Sequence, residues 1–112
     1  MITKFDHNKE QKVLNMRGGE GYVWIEKLEP RLAHMKMYAK ITIPAGSSIG
    51  LHVHETDEEV VYVLSGKGEV TMGSTKKLID EGTINITKQN ESHSIKNIFS
   101  EDLVLLAVIN EI

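Results

Sequence analysis

Apolar and polar residues alternate through the segment Leu32–Pro44, and this alternation limits the fold of the chain more than any other feature. The apolar series consists of Ala33, Met35, Met37, Ala39, Ile41 and Ile43. A period of two residues places such a series on one face of a half-buried β-strand. Shorter runs of the same kind are Tyr22–Leu28, Ile49–His54, Val60–Leu64, Glu69–Met72, Thr83–Thr87, Ser92–Asn97 and Leu103–Ile109. The sequence therefore predicts strands along most of its length.

Turn sequences rich in glycine and polar residues separate these runs. They are Arg17–Gly21, Pro44–Ser48, Ser65–Gly68, Gly73–Ser74 and Asp80–Gly82. Their spacing is typical of antiparallel sandwiches and barrels, and no stretch sustains the 3.6-residue period of a helix. We expect an all-β antiparallel fold with negligible helix. Residues 1–15 are the least specified part, either a tail or an added edge strand.

The length of 112 residues suits one hydrophobic core and is too short for two of ordinary size. Hydrophobic residues make up 40% of the chain and charged residues 26%, which is typical of a globular domain. We therefore expect a single domain over residues 1–112.

The charge and composition also exclude some classes of partner. With a net charge of −3 the chain has no basic stripe to neutralise phosphates, so nucleic acid is not expected as the main partner. No apolar run approaches the roughly 18 residues of a membrane span, and the polar start does not resemble a secretory signal. The absence of cysteine removes disulfides and thiolate ligands and fits the cytoplasm, where we expect the protein to stay.

Two of the five histidines, His52 and His54, are separated by one residue within a predicted strand. Residues i and i+2 of a strand point to the same face, so these two imidazoles project together. Glu59 opens the next apolar run, where it can point between the same sheets, and His93 begins a later strand after a turn. Imidazole and carboxylate groups are ligands for Zn, Mn, Fe, Ni and Cu. These four residues are therefore the candidate metal ligands.

Glycines flank the first three of these residues at regular distances. The order is glycine, five residues, His-x-His, four residues, glutamate, six residues and glycine, with the fixed positions filled by Gly46, His52, His54, Glu59 and Gly66. This arrangement resembles the first motif of the small single-domain cupins of the conserved β-barrel type.

A second stretch resembles the second cupin motif, which runs glycine, five residues, Pro-x-Gly, two residues, histidine, three residues and asparagine. Gly82, His93 and Asn97 occupy their expected positions, but Lys88 replaces the proline and Asn90 replaces the second glycine. The loss of proline removes a fixed φ from the turn, whereas asparagine still tolerates the left-handed conformation such a turn needs.

The resemblance implies a double-stranded antiparallel β-barrel that holds one divalent transition metal ion, with Mn or Fe favoured over Zn, Ni, Co or Cu. It does not select a reaction, since the fold hosts many functions. The first hypothesis, slightly favoured, is a metal-dependent enzyme acting on a small oxygenated molecule, as a dioxygenase, decarboxylase or isomerase. The second is a non-catalytic cupin that binds or senses a small ligand.

Other residues near the motifs are open to two interpretations. The acidic residues Glu55, Asp57 and Glu58 would extend the metal site or, as we favour, form a solvated turn. Met35 and Met37 are equally suited to lining a ligand pocket or filling the core. Trp24, Tyr38 and Tyr62 would also line a pocket or, more simply, pack in the core, although the alternation puts Tyr38 opposite Met35 and Met37 and puts Tyr62 opposite Glu59. Because small cupins pair edge strands across a two-fold axis, we also expect a homodimer that uses Gln11–Met16 and Leu103–Ile109.

Overall fold

The structure, a computed structural model, describes residues 1–112 and consists of β-strands joined by tight turns. The ten strands are β1 (Gln11–Leu14), β2 (Tyr22–Lys27), β3 (Met35–Ile43), β4 (Ser48–Val53), β5 (Asp57–Ser65), β6 (Gly68–Met72), β7 (Thr75–Ile79), β8 (Ile84–Thr87), β9 (Ser92–Lys96) and β10 (Leu103–Glu111). Two short 3₁₀ turns, at His7–Lys9 and Met16–Gly18, are the only helical segments. The prediction of an all-β fold is confirmed. No helix has the length and apolar character needed to cross a membrane.

The strands form two antiparallel sheets. The larger sheet has the order β1-β2-β3-β10-β5-β8 and the smaller one β4-β9-β6-β7. The sheets face each other as the two walls of a flattened barrel, although ladder hydrogen bonds do not join them into one closed sheet. Every paired strand runs antiparallel to its neighbour, as the short turns between runs predicted.

The core lies between the two walls and follows the period of two. On β10, Leu103, Leu105, Ala107 and Ile109 are buried, whereas the residues between them are half-exposed on the outer face. Full burial of such a side chain stabilises the fold by about 1.5–3 kcal/mol. The same alternation on β3 buries Ala39, Ile41 and Ile43 as predicted, and β4 and β9 supply Ile49 and Ile95 from the opposite wall.

Two strands begin three residues away from their predicted starts, and one strand is absent from the sequence prediction. The strand predicted from Leu32 begins only at Met35, because His34 has a φ of 66° and interrupts the extended backbone. β5 begins at Asp57, three residues before the predicted apolar run, through pairing with the end of β10. β7 was not predicted at all: it is an edge strand, exposed at four of its five residues, and therefore shows no apolar alternation.

The N-terminal residues are part of the larger sheet. β1 pairs with β2 at the sheet edge, so the edge-strand interpretation of this segment describes Gln11–Leu14. Before it, the backbone N–H of Asp6 donates to both carboxylate oxygens of the buried Glu26, at 2.9 and 2.7 Å. This contact fastens the first residues of the chain across β2.

The turn at Met16–Gly18 packs against β4. Gly19 and Gly50 approach so closely that a Cβ on either would overlap backbone atoms of the other segment. The backbone of Ser48 donates to the Glu20 carbonyl at 3.0 Å, and the Glu20 amide donates to the Ser48 hydroxyl at 2.8 Å. This turn, which we call the Arg17 turn (residues 15–19), is thereby held beside the strand that carries His52.

Candidate metal centre

All four predicted ligands come together between the two sheets. His52 lies on β4 and His54 directly follows that strand; both point inward, whereas Leu51 is exposed. His93 lies on β9, where the antiparallel register places it opposite His52. Glu59 enters from β5 in the other sheet. The cluster therefore joins the two walls of the barrel at one end of the core.

The ligand atoms are close enough to surround one ion. The Nε2 atom of His93 lies 3.1 Å from that of His52 and 3.3 Å from that of His54. The Oε1 atom of Glu59 lies 2.8 Å from His93 Nε2 and 3.2 Å from His54 Nε2. One ligand atom from each of the four residues falls within 4.8 Å of all the others.

His52 is oriented by the backbone of its own strand. Its Nδ1 lies 2.7 Å from the carbonyl oxygen of Gly50, which can only accept a hydrogen bond. Nδ1 therefore carries the proton and Nε2 presents a lone pair. Burial lowers the pKa of His52; the Gly50 carbonyl opposes this shift, and positive charge at His93 and Arg17 adds to it. The ring is thus held neutral, the form that coordinates a metal.

His54 is oriented by a carboxylate. Its Nδ1 lies 2.6 Å from Oδ1 of Asp57, and the Nζ of Lys36 donates to Oδ2 of Asp57 at 3.1 Å and to Thr56 Oγ1 at 3.0 Å. Burial opposes ionisation of Asp57, but the hydrogen bonds from His54 and Lys36 outweigh it and lower the pKa of the carboxyl. An ionised carboxylate behind a ligating imidazole makes it a stronger ligand.

His93 is oriented from β8. Its Nδ1 lies 2.8 Å from Oδ1 of Asn85 and 3.0 Å from Oγ1 of the fully buried Thr87. The Asn85 amide nitrogen contacts the sulfur of Met72 at 3.2 Å, which leaves the amide oxygen to accept from the ring. The third imidazole therefore also presents a bare Nε2 towards the cluster.

These partners show that the residues fit a metal ion. Three imidazole nitrogens and a carboxylate oxygen face one another in a buried space, and the partners of each Nδ1 place its proton there and leave the Nε2 lone pairs directed at the cluster. Such an arrangement is repulsive unless a cation balances it. Neutral nitrogen ligands with one carboxylate suit a divalent transition metal.

A small cavity adjoins the cluster. It has a volume of about 50 Å³ and is lined by three of the candidate ligands, by Arg17 and by nine hydrophobic residues. The hydrophobic lining comprises Met16, Met37, Ile41, Ile49, Val61, Ile95, Leu105, Ala107 and Ile109. Met37 therefore lines the cavity, whereas Met35 does not.

The structure revises the interpretation of the residues around the motifs. Asp57, predicted to lie in a solvated turn, instead begins β5 and contacts a candidate ligand. Glu55 is exposed in the turn as predicted, whereas Glu58 is exposed on β5. Asn90, which replaces a motif glycine, has a φ of 68° and so adopts the predicted left-handed conformation. Arg17 was considered only as part of a turn signal, and nothing in its local sequence points to the cavity.

Trp24, Tyr38 and Tyr62 do not line the cavity and are not buried core residues. Trp24 and Tyr62 are exposed on the outer face of the larger sheet, and Tyr38 is half-buried there, stacked on Phe5. Neither pocket lining nor core packing describes them, because the period of two turns them away from the smaller sheet. Tyr38 and Tyr62 lie on the strand faces opposite Met37 and Glu59, as the alternation predicted.

Comparison with known proteins agrees with this geometry. The family model of the cupin domain matches residues 39–109, which include all four candidate ligands. Over 112 aligned residues the chain is 38% identical to the "Oxalate-binding protein" of Thermotoga maritima, covering 97% of this chain and 93% of that protein.

Solved structures show the same fold. The crystal structure of a Thermotoga maritima protein described as a predicted oxalate decarboxylase superposes with a TM-score of 0.89 at 36% identity, covering 93% of each chain. A cupin 2 conserved barrel domain protein from Salinispora arenicola superposes with a TM-score of 0.80, covering 99% of this chain and 88% of the other. At 18% identity the second likeness concerns the fold alone.

Proposed function

The chain belongs to the cupin family, and from that membership and the geometry of its site we propose that it binds oxalate or a similarly small carboxylate on a divalent metal ion. The observation that carries the proposal is the cluster of three inward-facing Nε2 atoms and one carboxylate beside a small cavity. The 38% identity to an oxalate-binding protein supports the class of ligand.

We propose that His52, His54, Glu59 and His93 are the ligands and that the ion is Mn or Fe. Donors at right angles on one ion, each about 2.0–2.2 Å away, lie about 2.8–3.1 Å apart, whereas tetrahedral donors lie about 3.3–3.6 Å apart. Of the four short donor separations, 2.8 and 3.1 Å fall in the first range, 3.2 Å lies between the two ranges and 3.3 Å falls in the second. The two shortest separations support a six-coordinate ion with two positions left for a ligand.

The cavity supports a ligand of very few atoms. Its volume of about 50 Å³ is far below the roughly 300–1,000 Å³ of pockets that hold drug-sized ligands, so it suits a ligand of very few atoms. Apart from Arg17, the remaining walls are apolar and offer no hydrogen bonds to a sugar or to an extended polar substrate. Aromatic molecules such as catechols and flavonols are much larger than this space.

Binding is favoured over turnover by the residues that surround the cavity. The only ionisable groups in its lining are three candidate metal ligands and Arg17. A bound ion would supply a Lewis acid that polarises an oxygen of the ligand. Conversion of oxalate to formate and carbon dioxide also consumes a proton, and the lining holds no uncommitted acid to donate it. Decarboxylation is the second candidate, supported by the description of the relative at 36% identity.

One experiment separates these proposals. Protein stripped with chelator is loaded in turn with Mn, Fe, Co, Ni and Zn, its metal content is measured by elemental analysis, and oxalate binding is followed by calorimetry. We expect about one equivalent of Mn or Fe and oxalate binding only in the loaded protein. Formate release from oxalate would favour the enzyme. Retention of under a tenth of an equivalent of every metal would refute the metal site.

We further propose that the protein is a homodimer formed through the outer face of the larger sheet. Val60, Tyr62, Ile84 and Ile86 are 39%, 39%, 58% and 55% exposed. They form cross-strand pairs, Val60 with Ile86 and Tyr62 with Ile84, and so make one continuous apolar surface across β5 and β8. Such a patch on both copies suits a two-fold interface.

The sequence predicted that Gln11–Met16 and Leu103–Ile109 form the dimer interface, but only the first of these segments has a free strand edge in the fold. β1 is an edge strand and remains available for pairing. Leu103–Ile109 belongs to β10, which is already paired with β3 and β5 on its two sides, so it has no free edge. It contributes the half-exposed Val104, Leu106 and Val108 to the outer face instead.

Sedimentation tests the dimer directly. We expect about twice the monomer mass of 12.6 kDa at micromolar concentration, and we expect Ile86→Glu to produce monomers. Leu78→Glu is the matched control, since Leu78 is 67% exposed on the other sheet. A wild-type monomer, or equal effects of the two substitutions, would contradict the proposed interface.

A further inference from the structure

We propose that Arg17 selects dianionic ligands at this site, by pairing with the carboxylate oxygens that face away from the metal ion. The assignment rests on the proposed function and names the residue that would distinguish oxalate from uncharged molecules of the same shape. Arg17 lies outside both stretches that resemble the cupin motifs.

The position of Arg17 in the cavity wall is the first support. Three of the other lining residues are candidate metal ligands and the remaining nine are hydrophobic. Arg17 is therefore the only residue in the wall with a charge that is free to meet a ligand. A planar guanidinium matches the two oxygens of a carboxylate with two parallel hydrogen bonds.

The backbone of the Arg17 turn provides the second support. Arg17 has a φ of 54° and a ψ of 30°, the left-handed conformation that residues with a Cβ seldom adopt. The turn is closed by the amides of Gly18 and Gly19, which donate to the carbonyls of Asn15 and Met16 at 2.9 Å each. This conformation has a cost, and such strained residues cluster at ligand sites.

The attachment of this turn to β4 links it to the metal centre. The carbonyl of Arg17 packs so closely on Gly50 that a Cβ there would overlap it. The carbonyl of Gly50 is the acceptor that orients the His52 ring. One glycine therefore supports both the arginine and the neighbouring candidate ligand, which sets their relative position through rigid backbone contacts.

The side chain of Arg17 has no partner within the chain. It takes part in none of the salt bridges and in none of the side-chain hydrogen bonds, whereas Arg31, the other arginine, donates to the carbonyl of Lys36. A divalent ion with the Glu59 carboxylate leaves one net positive charge, and Arg17 adds a second. The combined charge matches a dianion.

The test uses three ligands of nearly the same shape and different charge: oxalate, oxamate and oxamide. Full-length protein loaded with Mn is titrated calorimetrically with each ligand at one low salt concentration, for the wild type, Arg17→Met and Arg17→Lys. We expect Arg17→Met to weaken oxalate binding by about 10- to 100-fold, the range typical of hydrogen bonds to charged groups. The loss should be smaller for oxamate and about nil for oxamide.

Two control variants test whether the loss of oxalate affinity comes from the guanidinium of Arg17. Arg31→Met makes the same change in net charge away from the cavity and should leave oxalate affinity within about twofold, because distant exposed charges are screened by salt. Arg17→Lys keeps the charge and loses the planar fork, so its oxalate affinity should lie between those of the wild type and Arg17→Met. Manganese content is measured for every variant, and only samples of equal content are compared.

Three outcomes would overturn the assignment. Unchanged oxalate binding by Arg17→Met, with normal binding by the wild type, would remove Arg17 and leave the proposed function standing. Equal losses for all three ligands would show that the substitution disturbs the cavity and not a charge contact. If the Mn-loaded wild type binds none of the ligands, the proposed function fails and the assignment of Arg17 fails with it.

Discussion

The metal centre has a closed side and an open side. His93, His54 and Glu59 are 1%, 2% and 7% exposed, and two of them are backed by side chains from β5 or β8. His52 is half-buried, is backed only by a backbone carbonyl and faces the Arg17 turn. Buried ligands with fixed partners hold an ion, whereas a ligand next to solvent leaves room for exchange. The closed side is thus suited to retaining the metal and the open side to admitting the ligand.

The largest effect should come from removing a ligand on the closed side. His93→Ala or His54→Ala leaves an incomplete shell where water has little access, so we expect loss of most bound metal, more than the 10- to 100-fold typical of changes behind the ligands. His52→Ala should lose less, because solvent can occupy the vacated position. Elemental analysis and competition with a chelator measure both.

The fold provides the control for these variants. The apolar faces of the strands do not depend on the ligands, so the far-UV spectrum of each metal-free variant should match that of the metal-free wild type. Equal metal loss in His52→Ala and His93→Ala would show that the two sides of the site do not differ in the proposed way.

Glu59→Gln should have a smaller effect on metal binding than His93→Ala. The amide oxygen can still ligate, but the negative charge that balances the ion is lost. In the metal-free protein the amide N–H groups can donate to the bare Nε2 atoms 2.8 and 3.2 Å away, a contact that the carboxylate cannot make. We therefore expect metal-free Glu59→Gln to melt at or above the temperature of the metal-free wild type; a clearly lower melting temperature would contradict the proposed tautomers.

The sequence could predict that the candidate ligands of both sides face inward, because the period of two determines which face of a strand a residue occupies. His52 and His54 share a face for that reason, and Glu59 points inward with Val61 and Val63 of β5. Their convergence also needs the pairing of β4 with β9, which the sequence indicates only through the resemblance to a known pair of motifs.

The surroundings of the ligands could not be predicted in the same way. Asp57 belongs to an acidic run of three residues, which alone is typical of a solvated turn, and its contact with His54 depends on where β5 begins. Arg17 reaches the cavity only because two glycines far apart in sequence allow two backbones to touch. Such contacts depend on tertiary structure, and no local period encodes them.

Asp57 offers a sharper test of the closed side. Asp57→Asn keeps an oxygen that can accept from His54 Nδ1 but removes the charge, so we expect metal affinity to fall by about 10-fold or less. Asp57→Ala also leaves the His54 ring without its hydrogen-bond partner, so the loss of metal affinity should approach about 100-fold. Glu58→Ala, at the exposed neighbouring position, is the matched control and should change little. Equal affinity of Asp57→Ala and the wild type would show that the carboxylate does not support the ligand.

The smallest expected effect is a pH dependence that arises on the open side. Burial, with the positive charge of neighbouring groups, holds the pKa of His52 below its usual 6.5. Between that lowered pKa and 6.5 the unfolded chain binds a proton at this residue and the folded chain does not, so acidification favours unfolding. The contribution of His52 to stability is therefore constant above 6.5 and declines as the pH falls through this window.

Melting curves of the metal-free protein between about pH 5 and pH 8 test this sign, since the unperturbed histidine titrates within that range. His52→Gln has no ring that can be protonated at this position. The melting temperature of the variant, relative to that of the wild type, should therefore rise as the pH falls below 6.5. His7→Gln changes an exposed histidine outside the site. The difference between its melting temperature and that of the wild type should not change with pH. If the wild type instead gains stability relative to His52→Gln on acidification, the protonated ring is favoured in the fold. That result would contradict the lowered pKa of His52 and its cause, burial of the ring.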